Sequence, residues 1–504
     1  RRVAYVQDND LYVVGIDDGE SQRLTDDGSE TVFNGTLDWV YNEELATRAA
    51  QPAYAWSPDG NWLIYLRLDE SGVARDPVTD FRPVPASVSY TRYPTAGTSN
   101  PVATLHALAQ GASAPALTVP LPADAEYVLP FFTWTPDANH ALFITVNRDH
   151  TRLTLNRWTP QSGALEALIV EEDPAWINEE RYAAPIFLDD GAHFLWLSER
   201  DGFMHLYLYA QDGTLRRQLT AGEWMIDSSA WNLLTPGRPV HVDPAGEWAY
   251  FITTRSSPLE RQIDRVIIGN GALEQLSQRP GFHLAALSAD GRFLVDQFSD
   301  AVDTPPVTQV VSIDDRSEVV LSAADAPALD LPDLTREFVT LKAHDGVDLT
   351  RSWLSRRTST RRQRYPVGRA LVRRAGLADG LQSLRHDQHL LQHHRARCAL
   401  HPGGLCGVAA GQSQPGRVTG SRHRSSASWA RPALDDQLAG IDYLRTLPYV
   451  DATRIGTDGK SFGGYMTYAP ACAGHLPLWR GRRRVDGLAL LRHDLHRAPC
   501  ARLR

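Results

Sequence analysis

Short apolar runs, each led in by turn-forming residues, fill the first two thirds of the chain. Trp62-Leu63-Ile64-Tyr65-Leu66 and Trp248-Ala249-Tyr250-Phe251-Ile252 have strand length and strand composition. The lead-in is a recurring phrase: Trp56-Ser57-Pro58-Asp59-Gly60, Trp134-Thr135-Pro136-Asp137-Ala138, Leu188-Asp189-Asp190-Gly191, Val242-Asp243-Pro244-Ala245-Gly246 and Leu287-Ser288-Ala289-Asp290-Gly291. Such residues supply the side-chain hydrogen bonds and the positive φ of tight turns. Copies recur at roughly 45 to 80 residues, a period that predicts four-stranded sheets in a β-propeller. The widest interval predicts a further blade with a degenerate turn. An array of β-sandwiches is the competing architecture, and the repeat alone says nothing about function.

Beyond residue 340 the period changes. Leu438, Ile441 and Leu444 fall at helical spacing over 439–447, and Pro448 stops the helix. A short strand is predicted around Arg454 to Thr457. It leads into Gly459-Lys460-Ser461-Phe462-Gly463, which reads G-x-S-x-G. Between a strand and a helix this pattern holds a serine nucleophile on a strained turn, and the N–H of Phe462 would face a developing oxyanion. The plain alternative is a Gly-rich turn, since Gly and Ser are common in loops.

A length of 504 residues suggests two to four domains. No apolar run is long enough to span a bilayer, and Arg1-Arg2-Val3-Ala4-Tyr5-Val6 reads as a strand without the apolar core of a signal peptide. The chain is expected to start inside a folded element. The net charge of −9 hides a division: residues 1–350 hold 24 basic and 51 acidic residues, whereas 351–432 hold 16 Arg against Asp379 and Asp387. Residues 475–504 add eight Arg against Asp486 and Asp494. Cys398, Cys406, Cys472 and Cys500 lie in or beside these Arg-rich parts, with neither a disulfide framework nor metal-ligand spacing.

Residues 368–432 show no persistent period and concentrate Arg, Ser and His, including His386, His389, His393 and His394. A nucleic-acid-binding insert explains the charge but lacks stacking aromatics. A metal site needs converging partners that the spacing does not supply. The favoured reading is a stretch translated out of frame; taken as written, it is expected to be largely disordered.

Several stretches together resemble the prolyl oligopeptidase family of serine peptidases, in its dipeptidyl peptidase IV branch. Around the serine they are Asp436-Gln437-Leu438-Ala439-Gly440, Leu447-Pro448-Tyr449-Val450-Asp451 and Ser461-Phe462-Gly463-Gly464-Tyr465-Met466-Thr467. Upstream they are Asp38-Trp39-Val40-Tyr41-Asn42-Glu43-Glu44, Arg92-Tyr93-Pro94-Thr95-Ala96-Gly97 with Asn100-Pro101, Ser198-Glu199-Arg200-Asp201-Gly202 and His205-Leu206-Tyr207-Leu208-Tyr209. The resemblance covers roughly three quarters of the chain. It implies a β-propeller over 1–340, incomplete at its start, and a partial α/β-hydrolase domain over 341–504, of which 368–432 and 468–504 do not match. His344-Asp345-Gly346-Val347-Asp348-Leu349 resembles the opening strand-turn-strand of that domain, and Arg364-Tyr365-Pro366-Val367 the start of its next strand.

Adjacent carboxylates such as Glu43 and Glu44 repel each other unless a cation joins them, and a peptide α-ammonium is such a cation. A solvated acidic turn is the plain reading. The resemblance implies that the pair holds the substrate's free N-terminus, so that only two residues reach from anchor to serine. Asn42 stands where relatives often carry another Glu, and an arginine that helps hold substrate in relatives would lie upstream of Arg1. The tyrosine of a Tyr-Gly-Gly-Pro-like loop, which completes the oxyanion hole in relatives, has no counterpart after Val367. The triad runs Ser, Asp, His in this fold. Asp486, His493, Asp494 and His496 are the candidates among the 43 residues after Ser461, none has matching context, and none is assigned. Without a base the hydroxyl is a poor nucleophile, so the chain as written is expected to be inactive or nearly so.

The implied function is release of N-terminal X-Pro or X-Ala dipeptides through an acyl-enzyme on Ser461, from peptide substrates with a free N-terminus. No metal or organic cofactor, nucleic acid or membrane span is implied. Homodimerisation and export follow from resemblance alone. Another peptidase of the family, such as an acylaminoacyl-peptidase, and a non-catalytic binding propeller are the competing functions.

Overall fold

A computed structural model describes residues 1–43, 45, 52–111, 115–174, 176–228, 238–299, 306–323, 334–343, 346, 348–356, 365–372, 405–407 and 430–460. Two compact units emerge from it. One comprises Arg1–Ala221, Asp227–Phe251 and Val266–Leu273; the other Gly222–Ile226, Ile252–Arg265 and Glu274–Arg504.

The first unit opens with a three-stranded sheet, Arg2–Gln7, Asp10–Gly15 and Ser21–Arg23. A five-stranded sheet follows, ordered Leu117–Val119, Val102–Ala109, Trp62–Asp69 and Val32–Asn34, with Tyr54–Trp56 also paired to Trp62–Asp69. The next two sheets keep chain order: Ala125–Trp134, Ala141–Asn147, Arg152–Trp158, Leu165–Glu172, then Ile186–Phe187, His193–Ser198, His205–Ala210, Leu215–Gln218. The division between units runs through a further sheet of the same order, Val240–Val242, Trp248–Thr253, Gln262–Ile267, Leu273–Gln275. Within the second unit Phe282–Leu287, Phe293–Ser299, Val307–Ser312 and Glu318–Ala323 repeat the pattern. These sheets are the blades of a β-propeller. Their inner strands carry the core: Phe143, Phe194 and Phe251 have no exposed surface, and Trp158 and Trp196 are 1% exposed.

The repeated phrase has one geometry. Its closing residue is left-handed in every copy, with φ of 72° at Gly60, 60° at Ala138, 64° at Gly191, 69° at Gly246 and 71° at Gly291. Each of these N–H groups donates to the carbonyl three residues back, as from Gly60 to Ser57 at 2.9 Å and from Ala138 to Thr135 at 2.8 Å. The turn aspartate accepts from the backbone ahead, Asp59 from Asn61 at 3.0 Å and Asp137 from Asn139 at 3.1 Å.

Among the described residues the widest interval holds no further blade. Between Trp62–Asp69 and Val102–Ala109, which are neighbours in one sheet, the chain makes a hairpin of Arg75–Asp80 and Ser87–Arg92 that pairs only with itself among the described residues. The turn interval counts residues and does not distinguish a new sheet from an insertion within one.

The hydrolase segment begins with the expected hairpin, Leu334–Lys342 against Asp348–Arg356, with Gly346 at φ 84° in its turn. Tyr365–Val372 then pairs in parallel with both Leu405–Gly407 and Val450–Lys460. The predicted helix is longer than its apolar spacing suggests, Ala430–Thr446 (α2 below), and the following strand runs over Val450–Lys460 rather than four residues. Leu434, Leu438, Ile441 and Leu444 form its buried stripe. The remaining parts of 368–432, and residues 461–504 with their candidate serine and histidines, lie outside the described residues.

Ala138 is the one closing residue of the five that is not glycine. A Cβ in left-handed backbone costs about 1–2 kcal/mol. Ala138→Gly is therefore expected to stabilise the chain by about 1 kcal/mol, after the backbone entropy that glycine loses, read as a higher denaturant midpoint.

Candidate active site

The five-residue helix Trp39–Glu43 (α1 below) interrupts the strands of the five-stranded sheet. Asp38 begins it: one carboxylate oxygen accepts the Tyr41 N–H at 2.8 Å, the N-cap arrangement that satisfies a donor with no partner inside a helix. The Asn42 N–H then reaches the Asp38 carbonyl at 3.1 Å, and the Asn42 side-chain amide donates to the Leu37 carbonyl at 3.1 Å. Leu37, Tyr41 and Leu45 are buried, whereas Trp39 is 45% exposed and meets Tyr93 edge-on at 5.1 Å. The helix is thus fixed on one side and open on the other.

Tyr41 ties α1 to the following blade, because its hydroxyl oxygen accepts the Val128 N–H at 3.3 Å. Burial pushes this phenol far above its ordinary range. Asp38 is 3% exposed, and burial raises its carboxyl to about 6. Glu70, just beyond the strand Trp62–Asp69 and 8% exposed, is raised to about 7 by burial and then by the negative charge of Asp38. The Arg92 guanidinium pulls Glu70 the other way and binds the Val73 carbonyl at 2.9 Å, within the turn that follows Glu70.

The other motif residues are built into neighbouring strands. The Asn100 amide donates to Glu126 and to the Tyr127 hydroxyl, both at 2.8 Å, and Arg148 binds the same Glu126 carboxylate at 2.7 Å. Arg200 lies 4.7 Å from the centre of the Tyr207 ring and pairs with buried Glu171, which also accepts the Trp196 indole N–H at 3.0 Å. His205 meets Thr220 at 2.9 Å and has no exposed surface. These motif residues hold the blades together.

Of the two candidate amine-binding carboxylates, Glu43 closes α1 and Glu44 lies outside the described residues. Ser461 and Phe462 also lie outside them; Lys460, the residue before the serine, is the last of a parallel strand preceded by α2. The structure adds Glu70 as a buried carboxyl, which no sequence pattern singles out because its burial and the charge of Asp38, 32 positions away, act only in the fold. Asp38 was named above only within its motif; an acid before an apolar turn is the signal that could have marked it as a helix cap.

Propeller blades followed by an α/β segment, with a strand leading to a candidate serine, define a class of two-part serine hydrolases. The model of the dipeptidyl peptidase IV N-terminal region matches residues 1–306, and that of the prolyl oligopeptidase family matches 419–481. The chain belongs to the dipeptidyl peptidase IV family. A dipeptidyl peptidase 4 of Arthroderma otae is 26% identical over 343 residues, 65% of this chain and 42% of that protein. A probable dipeptidyl-aminopeptidase B of Podospora anserina is 26% identical over 507 residues, 92% of this chain and 51% of that protein. The chain therefore spans about half, or less, of these curated relatives. The crystal structure of Porphyromonas gingivalis dipeptidyl peptidase 4 superposes with a TM-score of 0.79 at 24% identity, over 94% of this chain and 65% of that one. Among the described residues no helix is long and apolar enough to cross a membrane.

Tyr41→Phe removes the acceptor of the Val128 N–H in a buried setting. An unsatisfied buried donor costs about 1–3 kcal/mol, so this variant is expected to unfold at a correspondingly lower denaturant concentration.

Proposed function

We propose that the whole protein is a serine exopeptidase that releases N-terminal dipeptides with proline or alanine second. Glu43 and Glu44 hold the substrate's α-ammonium, Ser461 attacks the second peptide carbonyl to form an acyl-enzyme, and the Phe462 N–H donates to the oxyanion. The proposal divides the chain into a propeller over 1–340 that measures the substrate and a hydrolase part over 341–504 that carries the nucleophile. Its triad acid and base are unassigned.

The observation that carries this reading is α1 itself. A short helix, Trp39–Glu43, within the stretch Asp-Trp-Val-Tyr-Asn-Glu-Glu and capped and anchored to two blades, occurs in a chain whose first 306 residues match the family's N-terminal region. A helix end fixed at a buried cap can present carboxylates at a set distance, which is what counting two residues requires.

Binding of a fluorescent peptide with a free N-terminus, compared with its N-acetylated form, tests the anchor. The free amine is expected to bind better, and replacing Glu43 and Glu44 together by Ala is expected to remove about 10–100-fold of that preference, the worth of charged hydrogen bonds. Preference for the acetylated peptide would favour an acylaminoacyl-peptidase. Failure of a fluorophosphonate to label Ser461 in the whole folded protein would favour a binding propeller.

A further inference from the structure

His283 poses a hydrogen-bonding problem that a neutral imidazole does not solve. It lies in Phe282–Leu287, the first strand of the last blade before the hydrolase hairpin, and is 1% exposed. Its Nδ1 sits 3.0 Å from Oδ1 and 2.9 Å from Oδ2 of Asp296, which is buried on the next strand. Its Nε2 sits 2.9 Å from the Arg279 carbonyl oxygen. A carbonyl oxygen only accepts, and so does an ionised carboxylate. A neutral imidazole carries one N–H, so either tautomer would press a nitrogen lone pair against an oxygen in a buried setting. A second ring proton removes the conflict at both nitrogens.

Other charged groups around the ring are committed to different partners. Arg279 and Glu318 line the same small cavity as His283 and Asp296 and pair with each other at 2.7 Å. Arg261 accepts the His283 backbone N–H on its own carbonyl at 3.0 Å, while its guanidinium binds the Glu260 carbonyl at 2.8 Å. Ile263, Leu276, Leu294 and Val311 add apolar side chains to the lining. Gln309, directly opposite Asp296 on the third strand, donates its amide to Asp296 Oδ2 at 3.2 Å. The network therefore crosses the whole blade. His283, Asp296 and Gln309 stand on its first three strands, and Glu318, held by Arg279, on the fourth.

We propose that His283 is an imidazolium paired with Asp296, and that this one proton is a pH-sensitive latch across the blade. Between the ordinary carboxyl and imidazole values, about 4 and about 6.5, an opened blade also carries an imidazolium and a carboxylate. Closing it then changes no proton count, and the full stabilisation is present. Above about 6.5 the opened blade releases the proton that the closed blade keeps. Stabilisation is therefore lost as pH rises. The strand to open first is Glu318–Ala323, exposed along its whole length and paired on one side only among the described residues.

Ring nitrogen spectra of the whole folded protein, isotope-labelled at histidine, give the protonation state directly. At about pH 7.5, a unit above the ordinary imidazole value, both His283 nitrogens are expected to appear protonated. Loss of these signals in His283→Gln assigns them. One protonated and one bare nitrogen would overturn the imidazolium. Hydrogen-exchange protection factors of residues 282–287, 293–299, 307–312 and 318–323 test the latch. In wild type the opening equilibrium is expected to rise with pH above about 6.5, by up to about tenfold per unit for one proton. Asp296→Asn offers an amide N–H to Nδ1 of a neutral ring, so its blade closes without the extra proton and its protection is expected to stay level. Parallel profiles in wild type and Asp296→Asn would overturn the latch. A level wild-type profile would overturn it whether or not the variant folds.

Discussion

Strand pairing in this chain rests on one closed turn, used five times. In each copy the last ladder pair before the turn joins residue i to residue i+7: Trp56 to Leu63, Trp134 to Ala141, Phe187 to Phe194, Val242 to Ala249 and Leu287 to Leu294. A strand has a side-chain period of two, so a slip of one residue would turn every buried side chain outwards. The left-handed closing residue and the turn hydrogen bonds keep that slip from occurring. Leu63, Phe194 and Leu294, each 1% exposed or less, are buried on the second strand as a consequence. A turn is a local device here, but what it fixes is the core.

The candidate site depends on a departure from that regularity. After Val32–Asn34 the chain does not enter the next strand directly but turns through α1 before Tyr54–Trp56. A five-residue helix has almost no stability of its own. Its hold comes from the Asp38 cap, the buried stripe of Leu37, Tyr41 and Leu45, and the Tyr41 bond to the next blade. The inserted hairpin contributes from the other side, through the Arg92 bond to the turn after Glu70 and the Tyr93 contact with Trp39. The residues that shape the surroundings of α1 thus come from three separate stretches, two of which are interruptions of one sheet.

That arrangement explains what could and could not be read from the sequence. The turns were legible because Asp, Pro, Ser and Gly act within a few residues, and the structure repeats one geometry wherever the phrase occurs. The helix before Pro448 was legible from Leu438, Ile441 and Leu444, although its first two turns, with Leu434, were not included. The widest turn interval was read as holding a further blade where the structure has the inserted hairpin over 75–92, since an insertion and a blade lengthen a turn interval alike. Glu70 was invisible for a different reason. Nothing in Leu68-Asp69-Glu70-Ser71-Gly72 marks a buried carboxyl; only the packed fold does so, by burying Glu70.

The charge division bears on the same point. The propeller region has more than twice as many acids as bases, so an average carboxylate there has no cation to spare for it. Several buried acids nevertheless take an arginine, as Asp227 does with Arg181 at 2.7 Å and Glu171 with Arg200. Asp38 instead spends one oxygen on the Tyr41 N–H at the start of α1. With no cation beside it among the described residues to oppose the cost of burial, the Asp38 carboxyl is raised to about 6.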